Sequence, residues 1–249
     1  MNSVLSEILN TGETKTASGN GTVKIRHHIP PSEGEFLQRL VRDLDPTISL
    51  EVGLAFGISA LYICDALNIR NGTQHITIDA YQQHWEGGTG IANLCRAGYG
   101  DIVRLIEEQS YRALSELERS GLRVDFAFID GWHIFDFGLV DFFFIDRMLN
   151  VGGVVAFDDA DWPAIRKVCR FVKTNLAYSV VGTDGSDSPK HRLLQHLLRP
   201  IPSRILRLFH RILRPEIVEP NERIGLRGRC IAFRKDADDS RPGDYWVDF

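Results

Sequence analysis

Two apolar runs in this chain end in carboxylates. Phe128-Ile129-Asp130-Gly131-Trp132-His133 and Phe157-Asp158-Asp159 each read as a β-strand whose last residues turn acidic. Brought side by side, Asp130, Asp158 and Asp159 repel one another unless a cation sits between them, and oxygen donors of this kind suit Mg²⁺, Mn²⁺ or Ca²⁺. The pattern predicts a metal-assisted site. His133, close after Asp130, adds a side chain able to take a proton near neutral pH, or else a histidine hydrogen-bonded into the fold. Plainer roles exist for the aspartates: a turn cap for Asp130, and acids at a helix N-terminus for Asp158 and Asp159. Asp161 before Pro163 is expected to serve as that helix cap instead. Asp136 and Asp141 are assigned to an exposed helix face, and Phe142, Phe143 and Phe144 to the core.

A second group lies in the first half. Leu50 to Ser59, LEVGLAFGIS, reads as a strand carrying Glu51 that turns at Gly53, Ala55 and Gly57 into a helix. The glycines let backbone approach a ligand, and the N–H groups opening the helix at Ile58 and Ser59 favour an anionic or polar ligand end. A mere tight turn is the bland alternative. Asp79 ends the next β-run, HITID, where a carboxylate can accept from both hydroxyls of a ribose or simply cap a turn. Gln109 and Ser110 follow the third strand, as adenine contacts or, for Ser110, a helix cap. Trp85, Gly87, Gly88 and Gly90 form an aromatic loop after Asp79, a lid or a plain connection; Trp132 packs on an acceptor ring or on the fold.

The elements that must position these groups alternate. A helix over Glu33 to Leu44 precedes strands near Ile48–Val52, His75–Ile78, Val103–Ile106, Val124–Ile129 and Val154–Phe157. Helices fall between them near Ile58–Leu67, Ile91–Ala97, Arg112–Ser120, Phe137–Leu149 and, after the last, Pro163–Leu176. Such alternation means βαβ units, a largely parallel sheet, and ligands outside the strands' carboxyl ends. Ala177–Gly182 and Cys230–Phe233 break the pattern and fit an antiparallel pair at one edge.

On these residues the chain resembles the class I S-adenosylmethionine-dependent methyltransferases, and within them the metal-dependent O-methyltransferases of catechol and macrolide-sugar type. Glu51-x-Gly53-x-x-x-Gly57-x-Ser59 matches the first motif of that family, and Asp79 falls on its ribose-binding acid. The resemblance covers roughly Glu33 to Phe233. It implies an α/β, Rossmann-like, doubly wound seven-stranded sheet, mostly parallel with an antiparallel last strand. It also implies S-adenosyl-L-methionine held by Glu51, Gly53, Ala55, Gly57, Ser59, Asp79, Ser110 and Asp130. Mg²⁺ or Mn²⁺ would sit on Asp130, Asp158 and Asp159, with His133 as general base, as in the sugar-modifying branch. The glycine spacing departs from the Gly-x-Gly-x-x-Gly of nicotinamide dehydrogenases.

The expected activity is therefore metal-assisted methylation of a hydroxyl on a small polar metabolite, a sugar or glycosylated compound, with a phenolic acceptor as the alternative. A nucleotide-binding partner protein that has lost catalysis is the rival of another class. Hydrophobic content of 43%, charged content of 25% and a net charge of -4 in 249 residues fit one ordinary globular domain and give no reason to expect nucleic acid. Four dispersed cysteines suggest reduced thiols and a cytoplasmic protein. Residues 1–28 are expected to be a flexible amino-terminal segment, and 29–249 the methyltransferase domain. At about 186–228 lies a basic amphipathic insertion, read as a lid, a homodimer contact or a peripheral membrane patch.

Overall fold

In the computed structural model the described residues are 1–185, 220–221 and 223–249. The insertion expected at 186–228 falls mostly outside them, and its lid, dimer and membrane readings lie outside the described residues.

Largely apolar runs of four to nine residues pair into a seven-stranded sheet. Its strands are β3 (Ile48–Val52), β4 (Gln74–Ile78), β5 (Val103–Ile106), β6 (Val124–Ile129), β7 (Leu149–Phe157), β8 (Tyr178–Thr183) and β9 (Ile231–Lys235). The order across the sheet is β5-β4-β3-β6-β7-β9-β8, and β9 runs antiparallel to both of its neighbours. The mostly parallel sheet with one antiparallel strand is the architecture expected from the sequence.

Period-two alternation sorts each strand's side chains between two layers of helices. Phe126, Phe128, Val154 and Ala156 point towards α2 (Pro31–Leu44) and α3 (Ile58–Ala66). Ala127, Ile129, Val155 and Phe157 point towards α5 (Ser110–Arg119), α6 (Phe135–Met148) and α7 (Pro163–Asn175). Between β4 and β5 lies α4 (Thr89–Arg96).

Register decides what meets at the carboxyl edge. Ile78 pairs with Val52, Val52 with Ile129, and Ile129 with Phe157, so these residues form one row across four strands. The next row therefore holds Asp79, Gly53, Asp130 and Asp158. Their N–H groups extend the ladder by one step, donating to Ile106, Ile78, Val52 and Ile129 respectively. Phe157 also pairs with Ile231, so the residues just before β9 meet those just after β7, and Ala160 N donates to the Arg229 carbonyl at 2.6 Å.

The amino-terminal segment differs from expectation. Residues 3–11 form α1 (Ser3–Thr11), and β1 (Glu13–Lys15) pairs with β2 (Thr22–Lys24) as a hairpin. Within a polar composition, Val4, Leu5 and Ile8 still share one helical face and are buried against the α2–α3 layer. Asn2 caps the helix through Val4 N, and Thr14 Oγ1 donates to Asn93 of α4 at 2.7 Å. Because Ile8 is fully buried, Ile8→Ala should cost about 2–4 kcal/mol of unfolding free energy in a urea titration, whereas a loss below ~0.5 kcal/mol would mean that α1 is undocked.

Candidate active site

A cleft of about 850 Å³ opens at the carboxyl ends of β3, β4 and β6. This is where the strand order reverses direction about β3, and it lies within the usual size range for cofactor sites. Of the expected cofactor residues, Gly53, Ala55, Ser59, Asp79, Ser110 and Asp130 line it, and so does His133. Glu51 and Gly57 do not.

Glu51 is fully buried beneath the turn. It accepts a hydrogen bond from Ser59 Oγ and pairs with His75 Nε2 at 3.1 Å, while His75 Nδ1 meets Ser49 Oγ at 2.9 Å. Glu51 thus braces the first turn of α3 from below. Gly53 has φ +92°, and a Cβ there would lie 2.0 Å from the Asp130 carbonyl oxygen, so this position needs glycine for packing alone. Asp79 is also an internal brace. Its Oδ2 accepts from Ala55 N at 2.9 Å and from Leu54 N at 3.2 Å, and Oδ1 accepts from Tyr81 N at 2.8 Å. Gln82 Nε2 joins the Asp79 carboxylate to the Ala55 carbonyl, at 3.0 and 2.9 Å. The turn is therefore fixed before any ligand enters.

Other lining groups had not been singled out. Arg26, His27 and Phe56 meet Trp85, which packs edge-on to Phe56 with centroids 5.3 Å apart. Trp85 is thus a wall of the cleft, held by the amino-terminal segment. Gln109, not Ser110, occupies the N-cap position of α5, and neither side chain makes a capping bond. Likewise Trp162, not Asp161, stands at the N-cap of α7.

The acidic centre is built differently from expectation. Arg229 reaches Asp158 with both arms of its fork, Nε to Oδ1 at 3.0 Å and Nη2 to Oδ2 at 3.2 Å, and Nη2 also lies 3.0 Å from Asp159 Oδ1. The other Asp159 oxygen is 3.2 Å from His133 Nδ1, while Asp158 Oδ1 also accepts from Asp159 N at 2.6 Å. All four oxygens of the pair thus face protein donors. Asp159 reaches this arrangement with φ +46°, in the left-handed region. Asp130 stands 4.0 Å from His133 Nε2. Glu33, at the start of α2, adds a fully buried carboxylate 3.5 Å from Arg229 Nε, and neither of its oxygens accepts a hydrogen bond. Among the described residues, no set of three carboxylate, histidine or cysteine groups converges as ligands for a metal ion. As placed, the three aspartates do not fit Mg²⁺ or Mn²⁺, which need oxygens not already taken by donors.

Charge states follow the contacts. Burial tends to raise Asp158, but the hydrogen bonds and charge of Arg229 outweigh it and hold the carboxyl below its ordinary value. Burial and then Asp158 push Glu33 well up, and Asp130 is raised by the protein around it and then by Asp158, although 22% of its side chain reaches solvent. Asp159 is raised by burial and by Asp158, against Arg229 and His133.

Asp141 is a further correction. Expected on an exposed face, it is 1% exposed and lies beneath Gly131, with no hydrogen bond of normal geometry to either oxygen. Phe142 is core as expected, but Phe143 is exposed. Burial lifts the Asp141 carboxyl from 3.8 to about 6, with Ser110 nearby lowering it in part.

Residues 50–160 match a family model described as a methyltransferase domain. The match covers somewhat less than half of the chain. The caffeoyl-CoA O-methyltransferase of Populus kitakamiensis is 27% identical over 140 residues, 54% of this chain and 55% of that one, so the chain spans about half the length of the curated relatives it matches. An O-methyltransferase from Bacillus cereus in complex with SAH superimposes with TM-score 0.59 at 22% identity, covering 73% of this chain and 83% of that one. TomG, an O-methyltransferase from Streptomyces achromogenes involved in tomaymycin synthesis and solved with SAM, gives 0.57 at 18% identity, over 73% and 82%. The resemblance to class I O-methyltransferases of the metal-dependent type is borne out. The ends of β3, β4, β6 and β7 carry the residues on which that resemblance rested.

Asp141 supplies a test of how the domain carries buried charge. Between 3.8 and about 6 the native state binds more protons than the unfolded chain, so this group's contribution to stability falls as pH rises through that window and stays low above it. Asp141→Asn should therefore be more stable than the parent by about 2–3 kcal/mol near pH 8 and by little near pH 4, as read by calorimetry. A difference that does not change with pH would contradict a protonated Asp141.

Proposed function

We propose that the chain is an S-adenosylmethionine-dependent O-methyltransferase acting on a hydroxyl of a small acceptor. The observation that carries this reading is one cleft that joins the Gly53–Ser59 turn and Asp79 at one end to His133 at the other. The turn, the start of α3 and the size of the cleft suit a nucleoside-bearing cofactor. When bound, S-adenosylmethionine supplies an activated methyl group on a sulfonium leaving group.

The chain's own work is to hold the acceptor oxygen in line and take its proton. With Nδ1 3.2 Å from an Asp159 oxygen, His133 directs Nε2 to the Asp130 side, where that nitrogen can accept the proton of an acceptor hydroxyl. The residues as placed do not fit a divalent ion, so the Mg²⁺ or Mn²⁺ expected from the sequence has no step in this scheme.

Acceptor chemistry follows from that. Imidazolium ions ordinarily titrate near about 6.5 and phenols near about 10, a gap of roughly 5 kcal/mol. An aliphatic hydroxyl lies nearer the ~15.7 of water, a gap of roughly 12 kcal/mol that an imidazole bridges poorly without a Lewis acid. A phenolic acceptor is favoured on this ground, and exposed Trp132 and Trp162 near His133 offer it aromatic faces. The sugar or glycosylated acceptor is the second reading, supported by histidine at the base position. A small molecule, not nucleic acid, is the partner either reading requires, and a cytoplasmic location belongs to the same proposal.

His133→Gln should leave calorimetric S-adenosylmethionine affinity within about twofold while lowering kcat on a phenolic acceptor by about 10²- to 10⁴-fold. Cofactor binding without turnover on any phenol or glycoside would favour the non-catalytic rival. Failure to bind S-adenosylmethionine, with NAD binding in its place, would overturn the methyltransferase reading.

A further inference from the structure

The acidic centre and the residue that neutralises it point beyond this scheme. In the described residues, Asp158 and Asp159 come from the end of β7 and Glu33 from α2, and the guanidinium facing all three comes from Arg229, just before β9. A guanidinium is planar, always charged and rigidly forked, so two parallel contacts to one carboxylate fix its orientation as well as its charge. Both oxygens of Asp158 are engaged in this way, and Arg229 also holds Asp159, whose other oxygen faces His133. Buried carboxylates hold their negative charge only when paired.

We propose that Arg229 is the built-in cation of this centre, occupying the electrostatic place that a divalent ion would take on Asp158 and Asp159, and that the chain works without a bound metal. Arg229 is a positioning residue here: it orients Asp159, and Asp159 orients the His133 imidazole. An ion needs ligand oxygens at about 2.0–2.6 Å in place of the guanidinium nitrogens, so ion and arginine exclude one another on the same carboxylates. The aspartates read from the sequence as metal ligands then become arginine ligands.

The corollary is specific. Removing the guanidinium while keeping the carboxylates leaves clustered oxygens with a vacated space among them, which is the donor set hard cations select. Arg229→Ala should turn a metal-free centre into a cation site.

The inference rests on the proposed methyltransferase reading only for its catalytic half, and the deciding measurement needs neither acceptor nor cofactor. Full-length protein is titrated with Mn²⁺ and the free ion followed by electron paramagnetic resonance. The parent chain should leave the Mn²⁺ signal at its free value. Arg229→Ala should take up Mn²⁺ with affinity raised by roughly tenfold or more, the scale of removing one close like charge from the path of the ion. Adding Asp158→Asn to that variant should abolish the uptake. Saturable Mn²⁺ binding by the parent chain that Asp158→Asn removes would overturn the proposal, and this arm stands even where Arg229→Ala fails to fold. A folded Arg229→Ala protein that binds no Mn²⁺ would overturn it as well. If methyl transfer is detected, excess chelator should leave the parent rate unchanged, and a rate restored only by Mg²⁺ would count against the proposal. Absence of methyl transfer bears on the proposed function alone.

Discussion

Carboxylates gathered in a protein interior must be given a positive partner or a proton, because an isolated buried anion costs several kilocalories per mole. That constraint organises the carboxyl edge of this sheet. The register of β3, β6 and β7 forces Asp130 and Asp158 into one row, and Glu33 is brought against them by α2. Arg229 supplies the compensating charge, lowering Asp158, while burial and the crowding of Asp158 leave Glu33 and Asp130 raised. The cluster is thus graded: Asp158, gripped by both arms of the guanidinium, is held ionised, while burial and the charge of Asp158 favour protons on Glu33 and Asp130.

The cleft obeys a different economy. Its glycine turn is tied by side chains that were read as ligand contacts, Asp79 to the N–H groups of Leu54 and Ala55 and Glu51 to Ser59. Rigid turns of this kind lower the entropy lost when a ligand docks, because the backbone is ordered beforehand. The same residue types therefore mark the site in the sequence and act on the protein backbone in the structure. Both facts follow from one property, a carboxylate at a strand end surrounded by free N–H groups.

Much of this was legible from residue order. Parallel strands buried on both faces are nearly continuous apolar runs, so their ends stand out when Asp130, Asp158 or Asp79 follows, and the alternation with helices fixes the fold class. Arg229 was not legible, since its partner Asp158 lies 71 positions away and only the insertion of β9 beside β7 joins them. Glu33 looked like any acid in the first turn of a helix. Asp141 was misassigned because α6 carries apolar residues on every side, from Phe135 and Phe137 to Val140 and Phe143, so periodicity does not say which face is outside. The amino-terminal helix was hidden by a polar composition in which three apolar residues, Val4, Leu5 and Ile8, suffice to dock it.

The place of β9 in the sheet also bears on how the molecule assembles. Among the described residues Tyr178–Thr183 pairs only with Ile231–Lys235 in this sheet, so the edge strand has no hydrogen-bonding neighbour until that strand, far downstream of it, has been made. Arg229 arrives with that same late strand. Up to then the acids of β7 and α2 must stay solvated or protonated, and closing the sheet and neutralising the acidic centre become one long-range event. Contacts of such sequence separation are slow to form, which makes the last pairing a natural bottleneck in folding.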